Sequence, residues 1–445
     1  MDRPRRITCW ILFGAAGIPP LAIALLVARH ARNVPWKDQW GVIPFIVAVE
    51  RGEVRPAMLW SQVNEHRIPV ALALHGLLGW WTRWDVRYEA WLDVVLAALT
   101  MLALAGLAWR TIGERAPMAG AIVTLGCSIV TFSLTGGINW TWGAMLPAYL
   151  AALAATMLAW QLAAWTGTWP RTIVLAACAT AGALSFGAGV VLVVLLPVAL
   201  VLMRSVPLRR RLAHAIAATT WAVALIAVYF VGWRPRVGEP QPVMHWDRLA
   251  DYARYAVTYV GAGITTFDLG EGLVTGIVLC AVLTLSSAWL WRRRELRAAV
   301  VPWWLLAAYS AVNAAITAFG RLDNGLFTAL FVRYLPTASL FLVATMALAA
   351  LATATLWHAS QRAATVAVSL LAFGLATATP LYVRTARKAT ENMGVLALQL
   401  EAGAACLPTC ATAADDCLLL MCWSADVARQ MCPLMAAAKI GPFAP

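Results

Sequence analysis

Apolar residues in this chain occur in long runs that are separated by short polar clusters. Helical runs of about 17–25 apolar residues match the hydrocarbon thickness of a bilayer, and a backbone in lipid must satisfy its hydrogen bonds within its own segment. The pattern therefore predicts an all-α, polytopic transmembrane helical bundle of about 11 spans. The predicted spans lie near residues 7–27, 91–109, 117–135, 144–164, 171–186, 188–203, 212–232, 272–291, 300–319, 335–356 and 363–383.

The stretch of residues 171–203 allows two interpretations, one long helix or two short ones. A cluster of three glycines, Gly182, Gly187 and Gly189, favours a break. Two helices also place the arginine clusters 209–211 and 292–294 on the same side as the basic N-terminus, as the positive-inside rule requires. The sequence thus predicts an inner N-terminus and an outer C-terminus.

Composition agrees with a membrane protein and excludes a soluble domain. The chain has 445 residues, of which 62% are hydrophobic and 12% charged, and its mean hydropathy is +0.73. Soluble domains are about half apolar and a quarter charged. The formal net charge of +13 would suit a nucleic-acid ligand, but the basic residues lie at the ends of apolar runs. We therefore predict membrane lipid as a partner and no nucleic acid.

The predicted topology places the long loops on the outer side. Residues 1–383 form the membrane domain, with a first outer loop at 28–90, and residues 384–445 form a small outer tail. An oxidising outer compartment would favour disulfides in this tail, whose cysteine spacing does not suit a zinc site. At least one disulfide is expected among the tail cysteines, which are Cys406, Cys410, Cys417, Cys422 and Cys432.

The first outer loop contains the residue types of an acid–base site. Asp38 comes early in the loop, and Glu65, His66 and Arg67 follow later. The apolar segments 40–49 and 69–81 are too short to span, so they predict helices at the membrane interface. Carboxylates, an imidazole and a guanidinium together suit general-base catalysis on an anionic substrate. Plainer alternatives are that Asp38 caps a helix and that residues 65–67 form a solvated turn.

Further polar and aromatic clusters lie at the outer ends of later spans. Arg321 and Arg333 could bind phosphate through their planar guanidinium groups, or they could reach to lipid headgroups from the ends of apolar runs. The tryptophans of the sequence Asn-Trp-Thr-Trp at residues 139–142 could line a substrate or anchor the protein at the interface.

These features together resemble the glycosyltransferase C (GT-C) superfamily. The resemblance rests on an acid in the first outer loop, interfacial helices, about 11 spans and an outer C-terminal module. The segments 36–40, 64–68 and 139–142, with Gly320-Arg321 and Arg333-Tyr334, resemble a group of bacterial inner-membrane proteins of that type. The first-loop acid of the superfamily corresponds to Asp38. The superfamily often has paired acids there, whereas Lys37 precedes Asp38 in this chain.

The resemblance implies a membrane glycosyltransferase. Such an enzyme would move a sugar from a polyprenyl-phosphate donor to an envelope glycan, lipid or protein acceptor. Transfer would occur on the periplasmic side of the bacterial inner membrane, with a cytoplasmic N-terminus and a periplasmic C-terminus. The alternatives are a transporter or flippase of a lipid-linked or anionic amphiphile, and a noncatalytic assembly protein of envelope-glycan synthesis. Transporters usually carry internal repeats and ionisable groups at mid-membrane, and the sequence shows no repeat.

The expected site combines three groups of residues. No cofactor is certain, although Asp38 and Glu65 would be the ligands of a divalent metal ion. The expected catalytic residues are Asp38, Glu65 and His66; the donor-phosphate ligands are Arg67, Arg321, Arg333 and Tyr334; and the substrate-lining residues are Trp40, Asn64, Asn139, Trp140, Trp142 and Asp323.

Overall fold

The computed structural model describes residues 3–235 and 243–445, and in them it is almost wholly helical. A single two-stranded hairpin, β1 (Gln62–Val63) with β2 (His66–Arg67), lies in the first outer loop. The helices are α1 Arg3–Ala15, α2 Ile18–His30, α3 Ile43–Glu50, α4 Pro56–Leu59, α5 Pro69–Thr82, α6 Arg87–Ala108, α7 Pro117–Thr131, α8 Leu146–Ala163, α9 Trp169–Ala183, α10 Val190–Leu202, α11 Leu208–Phe230, α12 Leu249–Gly261, α13 Leu269–Trp291, α14 Arg297–Arg321, α15 Leu335–Ala359, α16 Gln361–Ala404, α17 Asp415–Leu419 and α18 Ala425–Ala438.

The apolar runs form helices long enough to cross a membrane. Within the described residues, eight helices have the required length and apolar composition, and a bent pair, Pro117–Thr131 with Leu134–Thr141, would make nine. The chain is therefore an all-α, multi-pass membrane protein, as the hydropathy pattern predicts. The eight candidate spans are Arg6–His30, Arg87–Gly113, Gly143–Ala163, Leu208–Phe230, Leu269–Trp291, Arg294–Asn324, Val332–Trp357 and Gln361–Thr409.

The stretch 171–203 forms two helices, as the glycine cluster predicts. Helices α9 and α10 have 15 and 13 residues, or roughly 22 and 20 Å at 1.5 Å per residue. Both are shorter than the roughly 30 Å of a hydrocarbon core, which is why fewer full spans are found than were predicted. The two helices pack against each other as a helical hairpin. Gly182 of α9 lies against Leu192 of α10, and Gly167, just before α9, lies against Val206, just after α10. The turn at residues 184–189 proves important for the site.

The first outer loop and the C-terminal tail are built around one apolar core. The predicted interfacial helices correspond to α3 and α5, and α5 turns the exposed indoles of Trp80 and Trp81 outward. The core contains Trp40, Ile43, Leu72, Leu418, Met421 and Ile440. Backbone hydrogen bonds join the two parts, from the N–H of Lys37 to the carbonyl of Met421 (2.8 Å) and from Gly441 to Arg83 (2.7 Å).

The C-terminal tail begins within a long helix and not at a break in the chain. Helix α16 runs without interruption for 44 residues, so the boundary expected at 383/384 falls inside it. A disulfide joins Cys406 and Cys417, and the expectation of a disulfide in the tail is confirmed. Cys410, Cys422 and Cys432 are buried in the shared core as free thiols. The tail thus lies on the same membrane face as the first outer loop.

Candidate functional site

A short 3-10 turn, Lys37–Val42, fixes the position of Asp38. The residue before the turn, Trp36, donates its N–H to Gln39 Oε1 (3.0 Å), and Gln39 Nε2 donates to Glu89 Oε2 (2.6 Å). Asp38 is the second residue of the turn and Trp36 is its N-cap, so the capping interpretation of Asp38 is wrong. The Asp38 carboxylate is half-buried and has no hydrogen bond or ion pair with any other described residue. It is therefore available to a substrate.

The β1–β2 hairpin presents Glu65 and His66. Its register pairs Val63 with His66, and Asn64 occupies the left-handed region at the turn (φ 51°), a conformation that asparagine tolerates better than most residues. Trp233 Nε1 donates to the carbonyl of Glu65 (3.0 Å), which ties the hairpin to the chain after α11. A solvated turn, the plainer alternative, therefore describes Asn64 and the half-exposed Glu65 but not the buried Arg67.

Arg67 holds the hairpin and does not face a substrate. Its side-chain nitrogens donate to the backbone carbonyls of Tyr229 (2.8 Å), Trp60 (2.5 Å) and Val231 (2.6 Å). The residue is buried, and buried guanidinium groups require such partners. Each of its three side-chain nitrogens therefore already serves the fold, and we leave Arg67 out of the phosphate-binding residues of the proposal below.

The residues around His66 form a compact cluster. Glu65 Oε1 lies 2.7 Å from Arg321 Nη2 and 3.6 Å from His66 Nε2. The His66 ring packs on Phe186 with 4.8 Å between ring centroids. Gly187 lies directly under the ring, where any Cβ atom would collide with it. The α9–α10 turn is thus the floor of the site, and it explains the glycine at this position.

The electrostatics of His66 show that the sequence-predicted charges converge. Burial is the largest cause that lowers its pKa below the ordinary value of 6.5, while Glu65 acts to raise it. Arg321 and Arg333 lower the pKa further, and Asp38 opposes them. His66 is therefore neutral at pH 7. For Glu65, burial acts to raise the pKa, but His66 and Arg321 together bring it below its ordinary value, so Glu65 is a carboxylate.

The lowered pKa of His66 predicts acid sensitivity. Below about pH 6.5 the unfolded chain takes up a proton at His66 that the folded protein resists, so stability falls as the pH falls. We expect the midpoint of thermal unfolding to drop between pH 7 and pH 5, and to drop less in His66→Gln. Parallel pH profiles of the two proteins in detergent would show that His66 does not contribute.

Arg333 is the cation of the cluster without a carboxylate partner. It lies in the turn Val332–Tyr334, and its guanidinium carbon is 5.1 Å and 5.2 Å from the ring centroids of Phe331 and Tyr334. Its Nε is buried without a hydrogen-bond partner, and no ion pair joins Arg333 to another described residue. A guanidinium with unused donors that acts on the same His66 imidazole as Asp38 suits an anionic group.

Asn139 and Tyr334 support this turn. Asn139 is fully buried and donates its amide N–H to the carbonyl of Val332. The Tyr334 ring packs on Tyr259, with 5.3 Å between centroids. Asn139 therefore positions the backbone next to Arg333, and its expected role in lining a substrate is replaced by a structural one.

Most of the tryptophans proposed to line a substrate belong to the core. Trp40 and Trp140 are buried, and their indole N–H groups donate to the carbonyls of Pro35 and Ser133 (both 3.0 Å). The substrate-lining role expected for these two residues is wrong. Trp142 is nearly buried and donates to the carbonyl of Trp36 (3.1 Å). It packs on the residue before the Asp38 turn and so helps to position that turn.

Two other expected lining residues lie outside the cluster. Asp323 is exposed and forms an ion pair with Arg248 at 2.6 Å. Asn64 is exposed at the tip of the β1–β2 hairpin, and its left-handed backbone conformation forms the hairpin turn. The Asp323 carboxylate is thus already paired at the surface, and its role in lining a substrate stays a prediction.

A buried polar network under the Asp38 turn was not identified from the sequence. Glu89 Oε1 lies 2.7 Å from His75 Nδ1 and accepts from Trp84 Nε1 (3.0 Å), while its second oxygen accepts from Gln39. All four residues are buried. Two ionisable residues in the sequence could have indicated this network. His75 lies within an otherwise apolar segment, and Glu89 lies beside one.

Replacing Glu89, the acidic residue of this network, should lower the stability of the folded protein. Glu89→Ala would leave His75, Gln39 and Trp84 without their partner, and breaking a buried charged pair costs about 3–5 kcal/mol. We expect a clear drop in the midpoint of thermal unfolding of the purified protein. Glu114→Ala is the matched control, since Glu114 is exposed and such changes cost about 0.5 kcal/mol or less. Equal midpoints for both variants would contradict the assignment.

The site does not fit a divalent metal ion. Glu65 is already paired with Arg321, and the nearby positive charge of Arg333 would repel a cation. Within the ranges that the structure describes, no three His, Cys, Asp or Glu side chains are grouped to hold a metal. We therefore assign no metal to Asp38 and Glu65.

Solved structures similar to this chain include two of an archaeal oligosaccharyltransferase. One is archaeal oligosaccharyltransferase AglB from Archaeoglobus fulgidus in complex with an inhibitory peptide and a dolichol-phosphate, with a TM-score of 0.48, 14% identity, and coverage of 86% of this chain and 56% of that one. The other is the Archaeoglobus fulgidus oligosaccharyltransferase tethered to an acceptor peptide containing the NVT sequon, with a TM-score of 0.46, 14% identity, and coverage of 86% and 55%.

This chain thus spans little more than half the length of either oligosaccharyltransferase. No protein-family model and no curated protein matches its sequence. At 14% identity and with TM-scores below 0.5, these similarities carry no conclusion about function, which has to be derived from the chain's own residues.

Proposed function

We propose that this chain is a membrane glycosyltransferase that takes a sugar from a polyprenyl-phosphate donor. The observation that carries the proposal is the Arg333 guanidinium, which packs on two rings, has no carboxylate partner among the described residues and acts with Asp38 on the same His66 imidazole. A carboxylate and a guanidinium that both face one imidazole meet the needs of proton removal and of phosphate binding. Transfer on the periplasmic face of a bacterial inner membrane belongs to the same proposal.

The proposed reaction is a displacement at the anomeric carbon of the donor sugar. The acceptor hydroxyl attacks that carbon, and the bond from the carbon to the phosphate oxygen breaks with its electron pair. Asp38 takes the proton of the hydroxyl. The products are the glycosylated acceptor and a polyprenyl phosphate that carries one more negative charge on its phosphate than the donor did.

Cations aimed at the leaving phosphate stabilise the charge that develops there. Arg333 contacts the phosphate in this proposal, and Arg321 supports it. Glu65 acts as a positioning residue, because its carboxylate holds Arg321 at 2.7 Å. Neutral His66 lies among the acidic and basic groups. It can form a hydrogen bond with the sugar without adding charge to the site.

Binding of the lipid product tests the proposal without knowledge of the sugar. The purified full-length protein is titrated with polyprenyl phosphate and with the matching polyprenol. One charged hydrogen bond to phosphate is worth roughly 1.5–3 kcal/mol, so we expect the phosphate form to bind at least roughly tenfold more tightly. The preference should disappear in Arg333→Ala. Equal binding of phosphate and alcohol by the unmodified protein would overturn the proposal.

A further inference from the structure

A second charged cavity lies on the same membrane face, outside the cluster around His66. It has a volume of about 610 Å³ and lies between the end of α2, the start of the segment Leu134–Thr141 and the middle of α16. Its polar lining comes from Arg29, His30, Tyr382, Arg387, Thr390 and Glu391. None of these residues belongs to the proposed transferase site.

The walls of this cavity are held in place by protein contacts. The Tyr382 hydroxyl accepts the N–H of Leu134 (3.2 Å), which fixes α16 against the segment Leu134–Thr141. The His30 ring lies against Gly394, 3.7 Å from where a Cβ of that glycine would be. The cavity is therefore a built feature between α2 and α16 and does not depend on mobile side chains alone.

The charge of the cavity favours an anion. Arg29 is exposed and its side chain has no hydrogen bond or ion pair within the described part of the chain. Arg387 is paired with Glu391 at 3.0 Å, but both side chains are well exposed, at 82% and 60%, so the pair is weak. Two guanidinium groups thus face one carboxylate. Arg384 and Lys388 follow on the same helix, but Arg384 forms an ion pair with Glu271 and Lys388 lies over the Phe267 ring. The excess positive charge of the cavity therefore comes from Arg29 and Arg387.

The cavity also lies at the boundary between apolar and polar surface. Below it, α16 carries large apolar side chains that are exposed on the protein, including Leu370, Phe373 and Leu375 at 66–70%. No part of the apolar window of this span is buried against other helices. The charged residues begin at Arg384, one helical turn after Pro380. A molecule bound here therefore contacts apolar side chains along the first half of α16 and positive charge at the middle of the helix.

We propose that this cavity binds the headgroup of an anionic phospholipid from the surrounding bilayer, with its acyl chains along α16. Guanidinium groups bind phosphate through paired hydrogen bonds, and basic pockets beside membrane spans bind anionic lipid headgroups. The open apolar face of α16 favours a lipid over a soluble phosphate, which would gain nothing from it. The volume is that of a small-molecule site.

Lipid retention by the purified full-length protein tests this. The probes are phosphatidylglycerol and phosphatidylcholine with identical acyl chains, offered in detergent and measured by native mass spectrometry. We expect preferential retention of phosphatidylglycerol, weakened roughly fivefold for each arginine removed in Arg29→Ala and Arg387→Ala. Arg254→Ala is the matched control, because Arg254 is exposed on α12. Arg387→Glu is a second, single change at a well-exposed position that should also lower retention.

The outcomes separate this site from the proposed transferase site. Equal retention of the two lipids, or retention unchanged in the double variant Arg29→Ala/Arg387→Ala, would overturn the lipid proposal. Loss of retention in Arg333→Ala alone would also overturn it, since the lipid would then occupy the transferase site. Preference for polyprenyl phosphate over polyprenol should survive in Arg29→Ala/Arg387→Ala.

Discussion

Replacing Asp38 by Asn is expected to abolish sugar transfer while the protein stays folded and inserted in the membrane. Asp38 has no partner among the described residues, so the amide removes no contact on which the fold depends. An acceptor hydroxyl is a weak nucleophile, and a base that takes its proton contributes about 10²–10⁴-fold to the rate. Transfer in proteoliposomes should fall by that factor, with an unchanged midpoint of thermal unfolding.

Asp323→Asn is the matched control for this change. Asp323 is an exposed carboxylate on the same face, paired with Arg248, and its loss should leave transfer close to that of the unmodified protein. Full transfer by Asp38→Asn would show that Asp38 is not the base. Equal loss in both variants would point to a general effect of surface charge and would contradict the specific role.

The fold class and much of the candidate site could be predicted from the sequence because both depend on local residue types. The lengths of apolar runs are enough to identify membrane spans, and α3 and α5 are visible as shorter apolar segments. Asp38, Glu65 and His66 stand out because ionisable residues are rare in such a chain. Their convergence with Arg321 and Arg333 around one imidazole follows from the short turns, the hairpin and the helix end that carry them.

The remaining roles depend on partners that are distant in sequence. Arg67 looks like a phosphate ligand by type, but its guanidinium is occupied by carbonyl groups more than 160 residues away, at Tyr229 and Val231. Trp40 looks like a substrate-lining residue by type, but its indole packs in a core shared with the tail. The sequence identifies the type of each residue, whereas the fold determines which of its hydrogen-bond donors and acceptors have no partner in the protein.

The tail shows how such distant contacts affect the site. From the sequence it is a small outer segment, yet Met421 accepts the N–H of Lys37, the residue before Asp38. Lys37 has a positive φ of 51°, a conformation that a lysine seldom adopts without support. The tail therefore helps to hold the Asp38 turn.

Arg333 is expected to show the second large effect. In Arg333→Ala, the charge that develops on the leaving phosphate loses a preorganised donor, and such losses cost about 10²–10³-fold in rate. The loss should fall on kcat more than on KM, because the charge is greatest in the transition state. Arg333→Lys should recover only a small part, since lysine lacks the planar fork that binds phosphate and stacks on Phe331 and Tyr334.

The lysine variant separates a phosphate ligand from an arginine that reaches to lipid headgroups. A headgroup-seeking side chain tolerates lysine, because both side chains place a positive charge at the interface on a flexible apolar stem. Arg254→Lys is the matched control on the exposed surface of α12 and should transfer sugar normally. If Arg333→Lys also transferred sugar normally, Arg333 would be a membrane anchor, and the proposed transferase would lose the residue on which its phosphate site rests.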